Sequence, residues 1–155
     1  MDGIKKSRRH AKIAGDFGEL LTLYLLSKHG YECIRADYIG IDIIAQRKDK
    51  RLGISVKSRT RTPGKETESI SIPHDSIQKA KAACATFGCV PHFAIVADAG
   101  NKIRVFVVPL ETLLRLLPRR KATRQWKMTY DALQHYKELK LPIKIVEFTT
   151  RIIKW

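Results

Sequence analysis

The chain has 155 residues, 44% of them hydrophobic, which suits one globular domain (residues 1–155) and leaves too little for two. Thirty Lys and Arg against fifteen Asp and Glu give a net charge of +15, an excess that repels itself in a compact fold and suits a polyanion as partner. No run of about 18 apolar residues occurs, which excludes a membrane-spanning helix. The basic stretch Met1 to Lys12 leads into no apolar segment of signal-peptide type, so a cytoplasmic protein without a membrane partner is expected.

In chain order, Ala14 to Lys28 carries a helical pattern. Phe17, Leu20, Leu21, Tyr24 and Leu25 form an apolar stripe, and Gly30 supplies the stop. Tyr31 to Ala36, Ile39 to Arg47 and Arg51 to Ser58 read as three strands, the last two joined by a short charged turn. Thr60 to Ser69 is a polar loop, and Ile70 to Ile72 reads as a short strand. Pro73 to Phe87 forms a second helix stopped by Gly88. His92 to Ala97 and Ile103 to Val108 form a hairpin, followed by a short helix near Leu110 to Leu117, a helix over Thr129 to Leu139 and a strand over Ile143 to Thr149. Three short-linked strands in succession predict an antiparallel meander with helices packed on the sheet.

Asp42 is set in the apolar strand Ile39-Gly40-Ile41-Asp42-Ile43-Ile44. A carboxylate among four isoleucines needs a reason, because burying an unpaired charge is expensive. Lys57 ends the next strand, with Ile54 and Val56 as alternate neighbours. A hairpin loop centred on Asp49 and Lys50 sets Asp42 directly opposite Lys57, with Gly40, Ile44 and Ser55 on the same face. A one-residue slip would separate them. Glu19 lies about 200° around the first helix from Phe17. The residues on its side are apolar or small (Gly15, Thr22, Leu23 and Leu26), which predicts a helix buried on two sides.

Three segments, Gly15-Asp16-Phe17-Gly18-Glu19, Gly40-Ile41-Asp42-Ile43-Ile44-Ala45 and Ile54-Ser55-Val56-Lys57, resemble in order and spacing the PD-(D/E)XK nuclease superfamily. They are most similar to the branch of archaeal Holliday-junction resolvases and Mrr-like restriction enzymes. The resemblance spans about Ala14 to Val108. It implies an α/β restriction-endonuclease-like core, α-β-β-β-α-β, with a central mixed sheet flanked by helices. The basic arm 1–12 and an extension over 109–155 would lie outside that core. The implied activity is a metal-dependent endonuclease hydrolysing DNA, branched or recombination-related DNA in particular. Its site would be Glu19, Asp42 and Lys57, with Mg²⁺ or Mn²⁺ held by Asp42, Glu19 and the carbonyl of Val56. Gln78 on the second helix would approach the substrate or the site. The family's usual acid is replaced by Ser55, a poor metal ligand. Mg²⁺ often needs only one or two protein carboxylates, because it keeps waters and takes phosphate oxygens. The alternative is a degenerate nuclease fold that binds DNA or RNA without cutting. Family members that cut both strands commonly pair, so a homodimer is compatible.

The cations cluster. Lys5 to Lys12 form one group, Arg47 to Lys65 a second, and Arg115 to Lys127 a third without an acid. Solvated faces are the plain alternative, but three such clusters exceed what solubility asks of a small domain. Nucleic acid, DNA ahead of RNA, is the expected partner. Arg59, Arg61 and Lys65 beside the site, Lys79 on the second helix, and Arg119, Arg120 and Lys121 are the candidate contacts. Trp126, Tyr130 and Tyr136 fit a core role better than base stacking. Cys33, Cys84 and Cys89 are odd in number and scattered, and read as reduced thiols; Cys84, Cys89 and His92 with His74 are too loosely spaced for structural zinc.

Overall fold

The computed structural model describes residues 5–155; the start of the basic arm, residues 1–4, lies outside them. The elements are α1 (His10–Lys28), β1 (Glu32–Tyr38), β2 (Ile41–Arg47), β3 (Lys50–Thr60), β4 (Ile70–Pro73), α2 (His74–Phe87), β5 (Val90–Ala99), β6 (Lys102–Pro109), α3 (Leu110–Leu116), β7 (Thr123–Trp126), α4 (Tyr130–Glu138) and β8 (Lys144–Thr149). Six strands form one sheet in the order β1-β2-β3-β5-β6-β8, while β4 and β7 make a separate antiparallel pair. The β1-β2-β3 meander is antiparallel and β5 joins β3 in parallel, so the expected α-β-β-β-α-β core with a mixed sheet is the observed one. Strand β7 was not foreseen. Its partner β4 lies far away in sequence, and four residues carry too little periodicity to announce a strand.

Alternation of side chains decides the layers. Along β5 and β6, Ala94, Val96, Val105 and Val107 face α1, where they meet Leu25 and Leu26 together with Ile43 and Ile54. Phe93, Ile95, Phe106 and Val108 face the other way, into a core with Ile77, Leu113 and Trp126. These strands are therefore apolar on both faces, as a sheet covered on both sides requires. Trp126 and Tyr136 are core, their rings stacked 4.2 Å apart, but Tyr130 is 73% exposed.

Two sequence expectations are corrected. Helix α1 begins at His10 rather than Ala14, and its buried residues are Gly18, Thr22, Leu25 and Leu26. Phe17, Leu20 and Tyr24, from the expected core stripe, are 44%, 52% and 57% exposed, so the helix is not buried on two sides. The cause is close approach: a Cβ at Gly18 would overlap the Ser58 hydroxyl on β3, so the small residues mark the line of contact with the sheet. The second correction is register. The β2–β3 turn is the two-residue Lys48-Asp49, with Lys48 at φ 55°, so Arg47 faces Lys50 and Ile43 faces Ile54. The ladder is shifted by two residues from the expected pairing of Asp42 with Lys57. An even shift preserves the faces, so Asp42, Ser55 and Lys57 still share one.

Gly40 anchors the β1–β2 turn. It sits at φ 100°, and a Cβ there would overlap the backbone carbonyl of Lys79 on α2. Gly40→Ala is expected to cost about 2 kcal/mol or more, from left-handed strain plus backbone overlap, read as a lowered denaturation midpoint with an unchanged slope. At the far edge, Glu147 of β8 accepts from Arg104 (2.8 Å) and Lys102 (3.0 Å) of β6, and these bonds hold its carboxyl down at about 2 from the usual 4.5. A depressed folded pKa contributes stability above about pH 4.5 that is lost as pH falls toward 2. Wild type is expected to exceed Glu147→Gln in stability at neutral pH, modestly because the group is largely solvent-screened. The two should converge near pH 2 in acid titrations.

Candidate active site

The ladder between β2 and β3 ends at Ile43–Ile54. Beyond it the strands splay, and the Asp42 carboxylate enters the gap to accept the Val56 N–H at 2.6 Å. A side chain thus takes the hydrogen bond that a continuing strand would have taken. Because a residue in an extended strand sends its N–H and C=O to the same side, the Val56 carbonyl also faces this gap.

Lys57 follows on β3. A recess of about 320 Å³ is lined by Asp42, Ser55, Lys57, Ser76 and Lys79, with Gly40 closing its end. Burial raises the Asp42 pKa, the Val56 N–H opposes the rise, and the Glu19 charge adds to it. Burial lowers that of Lys57, Asp42 opposes the fall, and the Arg59 and Lys79 charges add to it. Both groups are thereby moved toward neutrality, the arrangement expected of residues that exchange protons. Glu19 is half-buried on α1 and is bound at 2.7 Å by Arg35 of β1. Its charge is felt at Asp42, but it does not line the recess.

Among the described residues no group of three or more His, Cys, Asp or Glu gathers at one point. The hard oxygens on offer are the carboxylates of Asp42 and Glu19 and the Val56 carbonyl. That set fits Mg²⁺ or Mn²⁺, which bind through few protein oxygens and retain water. Ser55 is 4% exposed and lines the recess, at the position where the resemblance implies an acid.

The other sequence candidates fall in different places. Gln78 is exposed on α2 and does not line the recess; Ser76 and Lys79 of the same helix do. Arg61 holds the following loop together, donating to the Ser69 carbonyl at 2.7 Å with Glu68 beside it. Lys65 is exposed and pairs with Glu68 at 3.6 Å, while Glu66 lies against Gly100. Arg59 is exposed two residues past Lys57. Arg119, Arg120 and Lys121 are exposed in the turn before β7. Desolvation, with Arg119 and Arg124 nearby, lowers the pKa of His74, which sets this cluster at the start of α2. Cys84 is a core thiol that donates to the Gly53 carbonyl.

Sequence reasoning missed Arg35 and Ser76. Arg35 had a signal, a lone cation inside the strand Cys33-Ile34-Arg35-Ala36; Ser76 had none, because only the packing of α2 on Gly40 brings it to Asp42.

No family model and no curated protein matches the chain. Among solved structures it is similar to Hjc, a Holliday junction resolvase from the archaeal hyperthermophile Archaeoglobus fulgidus. The TM-score is 0.58 and the identity 19%, over 78% of this chain and 88% of that one. At that identity the likeness is one of fold: the chain has a restriction-endonuclease-like fold, matching that of Hjc.

Proposed function

We propose that the chain is a Mg²⁺- or Mn²⁺-dependent endonuclease that hydrolyses DNA phosphodiester bonds, with branched or recombination-related DNA as its substrate class. The observation that carries this reading is the Asp42 carboxylate held on the Val56 N–H in a recess that half-buried Lys57 also lines. Asp42, Glu19 and the Val56 carbonyl would hold the metal. When bound, the metal would polarise the phosphoryl oxygen and acidify a water.

The chain's own groups supply the rest. Lys57, with its lowered pKa, positions the attacking water, accepts a hydrogen bond or proton from it when neutral, and stabilises the developing phosphorane charge when cationic. Asp42 must be ionised to serve. Its raised pKa means that metal affinity falls as pH drops through a range above the ordinary carboxylate one. Lys79 and Ser76 face the recess from α2 and suit the phosphate of a bound strand.

Asp42→Ala and Lys57→Ala are each expected to reduce metal-dependent cleavage of a branched DNA at least about a hundredfold, read on denaturing gels. Cleavage at the parent rate by both variants would show that the activity resides elsewhere.

A second reading, binding without cleavage, is favoured by one observation: buried Ser55 in the acid's place. It predicts no product with any divalent metal, and gain of cleavage in Ser55→Glu would separate a weakened site from a lost one. Both readings predict binding that weakens steeply with salt, by roughly a thousandfold or more between 50 and 200 mM if six to ten phosphates are neutralised. A flat response in fluorescence anisotropy would sink both.

A further inference from the structure

The N-terminal end of α1 and the C-terminal end of β3 bound a groove of about 530 Å³. Lys6, Arg8, His10 and Arg59 line it, with Ser58 and Thr60 between them, and no acid does. Lys6 and His10 reach across to Thr60, at 3.4 Å to its carbonyl and 3.1 Å to its hydroxyl, so the N-terminal segment forms a wall of the groove rather than hanging free. The first turn of α1 has no acid and its N-cap residue, Arg9, makes no side-chain cap; the His10 N–H donates to the Ser7 carbonyl at 3.1 Å, and the helix end adds partial positive charge.

A second recess of about 200 Å³ opens from the same residues, His10, Ser58, Arg59 and Thr60. Its character is different: Ile13, Ala14, Phe17 and Val96 line it, with Asp98 beside Thr60. Phe17 and Ile13 are 44% and 53% exposed, on the flank of α1 beside β3. A cationic half and an aromatic half meeting at Arg59 match the two halves of a nucleotide, phosphate and base.

We propose that this double groove binds one unpaired DNA nucleotide of the substrate, its phosphate among Lys6, Arg8 and Arg59 and its base against Phe17 and Ile13. The orientation follows from charge. Lys6 and Arg8 line the first groove and not the second, while Ile13 and Phe17 line the second and not the first, so phosphate and base divide between them accordingly. A paired base has its ring faces covered by its neighbours, so only an unstacked nucleotide uses Phe17 as a platform. Arg59 also lies two residues past Lys57, roughly 6.6 Å along the strand and on the same face of it, whereas Ser58 faces α1 at Gly18, so Arg59 is the lining residue that links the groove to the side of the reactive lysine. This deepens the nuclease reading and rests on it for the place of the cut, which would lie beside a branch, gap or overhang rather than inside continuous duplex.

The test is metal-free binding of the full chain, in EDTA, to a duplex with a single-stranded DNA overhang and to a blunt duplex with the same number of phosphates. The overhang is expected to bind about tenfold more tightly, in keeping with one stacked base. Phe17→Ala should abolish that preference while leaving blunt-duplex affinity within about twofold, and Phe17→Trp should retain it. Arg59→Gln should weaken overhang binding and lower its salt slope by about one. Equal affinity of wild type for the two duplexes overturns the proposal, as does an equal loss on both in Phe17→Ala, or tighter binding of an RNA overhang than of the DNA one. If the preference is present but no divalent metal yields cleavage, the nuclease reading fails and the groove stands. If cleavage is present and the preference absent, the groove fails alone.

Discussion

The hydrogen bond from the Val56 N–H to the Asp42 carboxylate, 2.6 Å long, holds the point where β2 parts from β3. A sheet normally satisfies its backbone by continuing; here it is satisfied by an acid, and the gap beside that acid becomes the recess. One bond thereby orients the Asp42 carboxylate, leaves the Val56 carbonyl facing the same gap and delivers Lys57 to the recess wall. The burial that raises the Asp42 pKa lowers that of Lys57, because low-polarity surroundings penalise both charges while their mutual attraction resists the change.

Glycine decides how near the flanking helices come. Gly40 lets the β1–β2 turn rest on the α2 backbone at Lys79, which brings Lys79 and Ser76 to the recess. Gly18 lets α1 lie on β3 at Ser58, and this close approach sets the height at which Glu19, the next residue, stands above the sheet. Arg35 then meets Glu19 from β1. The same approach turns the bulkier face of α1, including Phe17, toward solvent beside a cationic groove. A feature that looks like core in the sequence thus becomes surface.

The C-terminal elements serve the site from a distance. Strand β4 ends at Pro73, which is also the N-cap of α2, and β4 is held by β7. The His74 N–H donates to the Ala122 carbonyl at 2.9 Å, and Arg124 donates to the carbonyls of Leu114 and Leu117 at the end of α3. Trp126 closes the arrangement by packing on Phe106 and Tyr136. The start of α2, and with it Ser76 and Lys79, is therefore positioned by residues far outside the three motif segments.

The sequence by itself determined the order of the elements apart from β7, the meander, and the shared face of an acid in β2 and a lysine in β3, because each rests on local periodicity or on a parity that a two-residue slip leaves unchanged. It also marked Glu19, Asp42 and Lys57 as charges that apolar surroundings do not explain. What it could not determine were quantities set by contact between distant segments: the β4–β7 pair, the face of α1 that is buried, the exposure of Gln78, and the presence of Arg35 and Ser76 at the site. Helical periodicity identifies an apolar stripe, but only the approach of two backbones decides whether that stripe or a line of small residues meets the sheet. At Gly18 and Ser58 the small residues win, because a glycine admits the backbone to a distance that no stripe of large side chains allows.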